Sequence, residues 1–318
     1  ASTTKIITAL LLCENAYLDQ TAVVTDAMVR VEGSSMGLQP GDTVHYRDLL
    51  YGMLLASGND AANATACLID GSLAAFADRM NRRAAEIGMK DTHFVTPSGL
   101  DDDEHYSTAY DMALLACTAL KNEAFAAAAA SQSAVLEYGN PPYRRTLTNH
   151  NKLLSALSVC DGVKTGFTKK SGRCLVSSAQ DGDAGVVVVT LNAPNDWEDH
   201  KALIAFGLSQ LESREVPPPD LAPVDVLCGT KDRVCVTAPT VSLSLLPEEL
   251  AQIETKIELG PAFFAPVSEG DVVGRITYSL NGAVLAETDV VAAESVAADD
   301  TIHHRTVWDW LRILLSAK

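Results

Sequence analysis

Three consecutive prolines, Pro217-Pro218-Pro219, split the sequence into two stretches with different hydrophobic periods. Proline lacks a backbone N–H, fixes its own φ and drives the residue before it out of the helical region, so the run ends the preceding helix and reads as a stiff linker. Ahead of it, apolar residues recur three and four apart; beyond it they alternate. Two separately cored parts are therefore expected, and 318 residues suffice for both. Hydrophobic residues at 47% against charged residues at 20% are the proportions of a packed protein and exclude wholesale disorder.

The first part reads as helix-rich with an antiparallel sheet. Ile6, Ile7, Leu10 and Leu11 form one apolar stripe from Ser2 to about Ala16, with Ser2 as its N-cap. Leu49, Leu50, Met53 and Leu54 mark a second helix, broken at Ser57-Gly58-Asn59 and resumed to Ile69. Leu73, Phe76, Met80, Ala84 and Ile87 mark a third that stops at Gly88, and 109–120 and 123–130 read as two more. Strands are expected around Lys164, over 174–178 and over 184–191, with a turn at Lys169-Lys170-Ser171-Gly172, and a helix over 196–211 closes this part. Beyond the prolines, short alternating runs and an Asn281-Gly282 hairpin turn read as a small all-β sandwich over 221–295. The segment 301–318 returns to helical spacing, with Trp308, Trp310, Leu311 and Leu314 on one arc and Arg305, Asp309 and Arg312 opposite, as in a helix lying on a membrane surface. The fold class is thus α+β, followed by a β domain and an amphipathic terminal helix.

Charge and cysteine usage remove several functions. A net charge of −17 argues against a phosphate-backbone ligand, so no nucleic-acid partner is expected. Seven cysteines are too few for a disulfide scaffold in this length, none falls in a C-x-x-C pair, and no H-E-x-x-H is present, so a structural or catalytic zinc site is not expected. Asp101-Asp102-Asp103-Glu104 lacks the spacing of a calcium loop and reads as solvated.

Three short motifs carry chemistry. Ser2 and Lys5 are spaced i, i+3 and share one face of a helix, so the lysine can serve as the base that a serine hydroxyl needs, provided burial or a neighbouring cation lowers its pKa. Ser57-Gly58-Asn59 sits in an interhelical turn, where a serine can relay a proton and an asparagine can hold a substrate amide. Lys164-Thr165-Gly166 opens an edge strand, where a lysine and a hydroxyl can bind a carboxylate and a glycine lets a ligand backbone lie close. Taken singly, each has an ordinary structural explanation as a cap, a turn or a surface charge. In this order on helix, turn and strand they form the S-x-x-K, S-x-N, K-T-G set of active-serine penicillin-recognising enzymes.

With these motifs, and with Phe94 to Asp101, His105 to Asp111, Asn149 to Leu154 and Asp161 to Thr168, the sequence resembles the low-molecular-mass penicillin-binding proteins that act as D-alanyl-D-alanine carboxypeptidases. The resemblance spans essentially the whole chain. It implies a penicillin-binding/β-lactamase-like catalytic domain over 1–214, a β-sandwich domain over 221–295 and a membrane-surface helix over 301–318. It implies Ser2 as acylated nucleophile, Lys5 as its base, Ser57 and Asn59 as relay and substrate holder, and Lys164, Thr165 and Gly166 as the strand that binds the terminal carboxylate. The backbone N–H groups of Ser2 and Phe167 would form the oxyanion hole. The implied partners are a peptidoglycan pentapeptide ending in D-Ala-D-Ala, β-lactams and the membrane surface, and the implied reaction needs no metal or cofactor. The implied place is the outer face of the bacterial cytoplasmic membrane. Relatives carry a signal peptide and strands of the catalytic sheet ahead of the S-x-x-K helix, so the sequence reads as N-terminally incomplete. Phe167 stands where many relatives have a polar residue such as His, and a changed rate or specificity is expected there. Two other readings stand beside this one: a non-hydrolytic cell-wall protein of the same fold, and a class A-type β-lactamase. The latter needs a deacylating Glu in an E-x-x-L-N-like loop, which is absent between the second and third motifs.

Overall fold

The helix that carries the first motif is apolar nearly all round, and that decides where it sits. In the computed structural model, which describes residues 1–299, α1 (Lys5–Asn15) is buried without interruption from Lys5 to Leu12. An amphipathic stripe was expected; instead only the end around Glu14 and Asn15 reaches solvent, as befits a helix enclosed by other elements. The elements around it are the short α2 (Asp26–Val29), then α3 (Tyr46–Leu54), α4 (Asn59–Asp70), α5 (Leu73–Ile87), α6 (Ala109–Leu120) and α7 (Glu123–Ala130). Ile6, Leu10, Leu49, Met53, Phe76 and Leu115, all 1% exposed or less, form the centre of this core.

Punctuation residues set the helix ends. Ser72, Thr108 and Asn122 accept the backbone N–H of Ala75, Asp111 and Phe125, closing the first turns of α5, α6 and α7. Gly88, at φ +92°, ends α5 in the left-handed conformation. Ser2 does not cap α1: residues Ser2–Thr4 form one 3₁₀ turn ahead of it, and the Ser2 hydroxyl is engaged by Lys5 instead.

Two sheets complete this unit, Ala1–Gln210. One, in order β1 (Thr21–Val23), β2 (Thr43–His45), β3 (Ser133–Gly139) and β4 (Pro142–Thr148), is absent from the sequence reading. Its first two strands are three residues long, too short for alternation to register. The other is antiparallel, in order β5 (Cys160–Thr168), β6 (Gly172–Asp181) and β7 (Ala184–Thr190), after a single helical turn α8 (Leu153–Ala156). Gly166 faces Cys174 and Phe167 faces Arg173 across the first pair. α9 (Asp196–Gln210) lies along β6 and β7, with Ile204 packed on Leu175 and Val188.

The second unit starts at Leu211, so a strand lies on each side of the prolines that were read as a linker. β8 (Glu212–Val216) precedes them, and after β9 (Val224–Leu227), β10 (Arg233–Val234) and β11 (Val236–Thr237) it finds its partner in β12 (Val241–Leu245). β13 (Glu254–Leu259), β14 (Phe263–Phe264), β15 (Val272–Leu280) and β16 (Ala283–Ala292) follow, giving sheets β11-β16-β15-β13 and β10-β9-β14. Asn281 and Gly282 turn β15 into β16 at φ +51° and +80°, the signs a type I′ turn demands. Val226, Val234, Ile276, Tyr278 and Val290 fill the core. The expected helix over 301–318 lies outside the described residues.

Candidate active site

Helix α1 presents Lys5 on its first turn, immediately after the 3₁₀ turn that holds Ser2. Lys5 is fully buried, and its Nζ donates to Ser2 Oγ at 2.9 Å, Asn59 Oδ1 at 2.7 Å and the Ser98 carbonyl at 2.7 Å. Burial, and after it the nearby charge of Lys164, hold its pKa well below that of a free lysine. A neutral amine has two hydrogens and one lone pair. In that form Asn59 and Ser98 accept the two hydrogens and the Ser2 contact reverses, the hydroxyl donating to the lone pair, which is the arrangement a general base requires.

Asn59 opens α4, with Ser57 and Gly58 forming the break ahead of it. Its Nδ2 donates to the Glu32 carbonyl at 2.7 Å, which fixes the amide so that Oδ1 faces Lys5. Both ends of this amide are thus engaged within the protein, and its first task is to position the lysine. Ser57 adopts φ +59°, a left-handed conformation rare for a residue with a side chain, and it is buried on the wall of the cleft.

The neighbouring Asp60 escaped the sequence reading, in which an acidic residue in a first helical turn is unremarkable. Its carboxylate accepts Ser35 Oγ at 2.6 Å and the backbone N–H groups of Met36, Gly37 and Leu38 at 3.0–3.1 Å. Asn59 N adds a bond to the Ser34 carbonyl at 2.7 Å. The loop bearing Ser34, another wall of the cleft, is therefore clamped to the start of α4.

The third motif lies on β5, the strand next to the Ser2 turn. A Cβ on Gly166 would stand 3.0 Å from Thr3 N and 3.1 Å from Ser2 N, so glycine is required by close approach. Thr165, Gly166 and Phe167 line a cleft of about 370 Å³ together with Ser2, Ser57 and Arg173. Strand alternation sets Lys164 on the same face as Gly166, the face that abuts the Ser2 turn; Lys164 is 1% exposed and donates to the Thr165 carbonyl at 3.0 Å. Burial pushes its pKa down to about 7.

On the far side of the Ser2 turn, His105 Nδ1 accepts Val95 N at 3.1 Å, which leaves Nε2–H to donate to Thr4 Oγ1 at 2.8 Å. Burial pushes this imidazole to about 4, so it is neutral and serves as a fixed prop. Asp101 and Asp103, read as solvated, reach the β5–β6 hairpin: Asp101 accepts Thr168 Oγ1 at 2.8 Å and Asp103 pairs with Lys170. The arrangement can activate a serine next to backbone amides at a polar cleft, which is the equipment of acyl transfer.

Comparison with known proteins bears on this chemistry. The family model described as D-alanyl-D-alanine carboxypeptidase matches residues 1–195, and that described as penicillin-binding protein 5, C-terminal domain, matches 220–298. D-alanyl-D-alanine carboxypeptidase DacF of Bacillus subtilis is 33% identical over 98% of this chain and 84% of its own length. DacC of Escherichia coli is 33% identical over 98% and 81%. Among solved structures, the D-alanyl-D-alanine carboxypeptidase DacD from Francisella tularensis aligns with a TM-score of 0.65 at 26% identity, covering 94% of this chain and 88% of that one.

Proposed function

Because the chain belongs to the D-alanyl-D-alanine carboxypeptidase family, we propose that Ser2 is its acylated nucleophile and Lys5 the base that activates it. The protein is a serine-type D-Ala-D-Ala carboxypeptidase, a hydrolase of peptidoglycan peptides in the cell envelope that β-lactams acylate. Ser2 Oγ attacks the carbonyl of the D-Ala-D-Ala bond as its proton passes to Lys5 Nζ. The N–H groups of Ser2 and Phe167 hold the oxyanion. Collapse breaks the C–N bond, Lys5 returns the proton through the Ser57 hydroxyl to the leaving amine, and D-Ala departs. Water then adds to the ester, giving its proton to Lys5, and the second collapse frees the shortened peptide and restores Ser2. Asn59 holds Lys5 in register and keeps one Oδ1 lone pair for the substrate amide. Lys164 acts through its field on Lys5 and on the incoming carboxylate, while Thr165 supplies the contact and Gly166 the clearance.

The observation that carries this reading is the Lys5–Ser2 hydrogen bond of 2.9 Å within a buried cage. Incubation with a fluorescent penicillin, followed by peptide mass mapping, should place the label on Ser2 and show none in Ser2→Ala; label on another residue would overturn the assignment. The division that goes with it is a carboxypeptidase domain over 1–214 and a β domain over 221–295, working at the outer face of the cytoplasmic membrane. The two family models, at 1–195 and 220–298, support both parts. Among the described residues no helix is long and apolar enough to cross a membrane.

A further inference from the structure

Lys5 can serve as a base only while its amine stays dry and its acceptors stay in line. One of those acceptors, the Ser98 carbonyl, lies in a connecting segment, 93–99, that belongs to no helix or strand. The segment is pressed against the start of α1. The Pro97 carbonyl accepts Thr8 Oγ1 at 2.7 Å, and a Cβ on Gly99 would stand 2.8 Å from Thr4 Oγ1. Gly99 also has φ +80°, so both close approach and backbone conformation call for glycine there. Loops open more easily than the elements they join, so this one needs a tie to keep its carbonyl at the nucleophile.

His105 supplies it. Its Nδ1 accepts Val95 N at 3.1 Å, with Thr96 N at 3.4 Å on the same lone pair, and its Nε2–H donates to Thr4 Oγ1 at 2.8 Å. One ring therefore joins the segment that carries Ser98 to the 3₁₀ turn that carries Ser2. The ring is itself held from two sides. Phe94, 1% exposed, meets it edge-on with ring centres 5.6 Å apart. The flanking residues His93 and Tyr106 exchange both backbone hydrogen bonds, at 2.9 and 3.0 Å. The tie needs an acceptor on one edge and a donor on the other, which is the pattern of neutral imidazole. Burial is the main reason the ring stays neutral; the Ala1 ammonium and His93 act in the same direction, against Asp102 and Asp101.

The geometry points to His105 as a positioning residue for the hydrolysis: by tying Thr4 to the Val95–Thr96 backbone it keeps the Ser98 carbonyl on Lys5 and the Ser2 hydroxyl beside it. It acts through the backbone of the turn and of the loop. The inference rests on the assignment of Ser2 and Lys5 as nucleophile and base. Cutting the tie lets water reach the amine and weakens the burial that lowers its proton affinity, while the charges that face it, Lys164 and Asp60, stay in place. Lys5 then keeps its proton to higher pH.

The test is the second-order rate constant for acylation by a fluorescent penicillin, measured as a function of pH. Acylation slows where Lys5 is protonated, so the acidic limb of the profile reports that ionisation. His105→Leu fills the space but can neither accept nor donate. It should slow acylation at neutral pH by on the order of 10- to 100-fold and move the limb up by about one pH unit. His105→Gln, with an acceptor and a donor on one amide, should bring back the parent's limb and most of its rate. Should the leucine variant not fold, Thr4→Val cuts the same tie from its other end at nearly the same shape and should move the limb in the same direction. A rate constant does not depend on the fraction folded, so a limb that stays at the parent's pH in the folded variant would overturn this inference alone, however much label is taken up. No label on Ser2 of the parent would overturn the reading of the site and this inference with it.

Discussion

The two units of this chain build their interiors on different principles. Among the described residues, every buried charged, amide or imidazole side chain belongs to the first unit, Lys5, Asn59, Asp60, Asp111, Lys164 and His200 among them, each 5% exposed or less. The buried set of the second unit, from Val224 to Val296, is aliphatic apart from Tyr278, whose hydroxyl is buried there. Removing a charged amine from water is expensive, so an interior that does it twice is organised for something other than stability. The second unit keeps to alternating strands and apolar packing, as expected of a module whose first requirement is to fold.

The contrast is broken or sharpened by substitution. The largest effect is expected at Lys5→Met: penicillin labelling of Ser2 should slow by on the order of 10³-fold or more, as for removal of a catalytic base. A loss below tenfold would show that Lys5 is structural. The opposite case is Ile276→Ala, fully buried in the second unit, which should lower stability by about 2–4 kcal/mol in chemical denaturation while leaving the labelling rate of the folded protein unchanged. A slowed label would mean that the second unit contributes to the site.

Lys164→Met should show a gain. The folded pKa, about 7, lies far below that of a free lysine, so between pH 7 and roughly 10.5 the unfolded chain binds more protons. Stability of the parent should therefore rise with pH across that window, and the methionine variant should be more stable at pH 7 by on the order of 2–3 kcal/mol, with the advantage fading by pH 10. Equal stability of parent and variant at pH 7 would mean that the amine carries no burial penalty. The smallest effect is expected at Gly282→Ala: its φ of +80° disfavours a side chain and should cost about 1 kcal/mol in a melting experiment, with labelling unaffected.

What could be read from the sequence follows the same divide. Breaks and turns with a required residue were visible: Ser57-Gly58-Asn59 separates α3 from α4, and Asn281-Gly282 closes β15–β16. The three motifs are brought together at Ser2, Lys5, Asn59 and Gly166 as their order suggested. Features that depend on direction were not visible. Alternation alone left open which face of β5 turns inward, so the near-complete burial of Lys164 could not be read from the sequence. Asp60 looked like one more acidic residue in a first turn, because the loop that it gathers lies more than twenty residues earlier. Strands β1 and β2 are too short to leave a period, and β8 hid beside prolines that signal a break.

The cage around Lys5 has a consequence for the life of the molecule before it is finished. Its acceptors come from residues 54 and 93 positions away in sequence, and the amine loses its proton affinity only when α4 and the Ser98 loop close over it. In an unfinished chain Lys5 is an ordinary hydrated ammonium and Ser2 an ordinary alcohol, indifferent to any acyl donor. Reactivity is thus a property of assembly and works as a built-in certificate of maturity: a covalent penicillin stain counts correctly folded copies and passes over the rest.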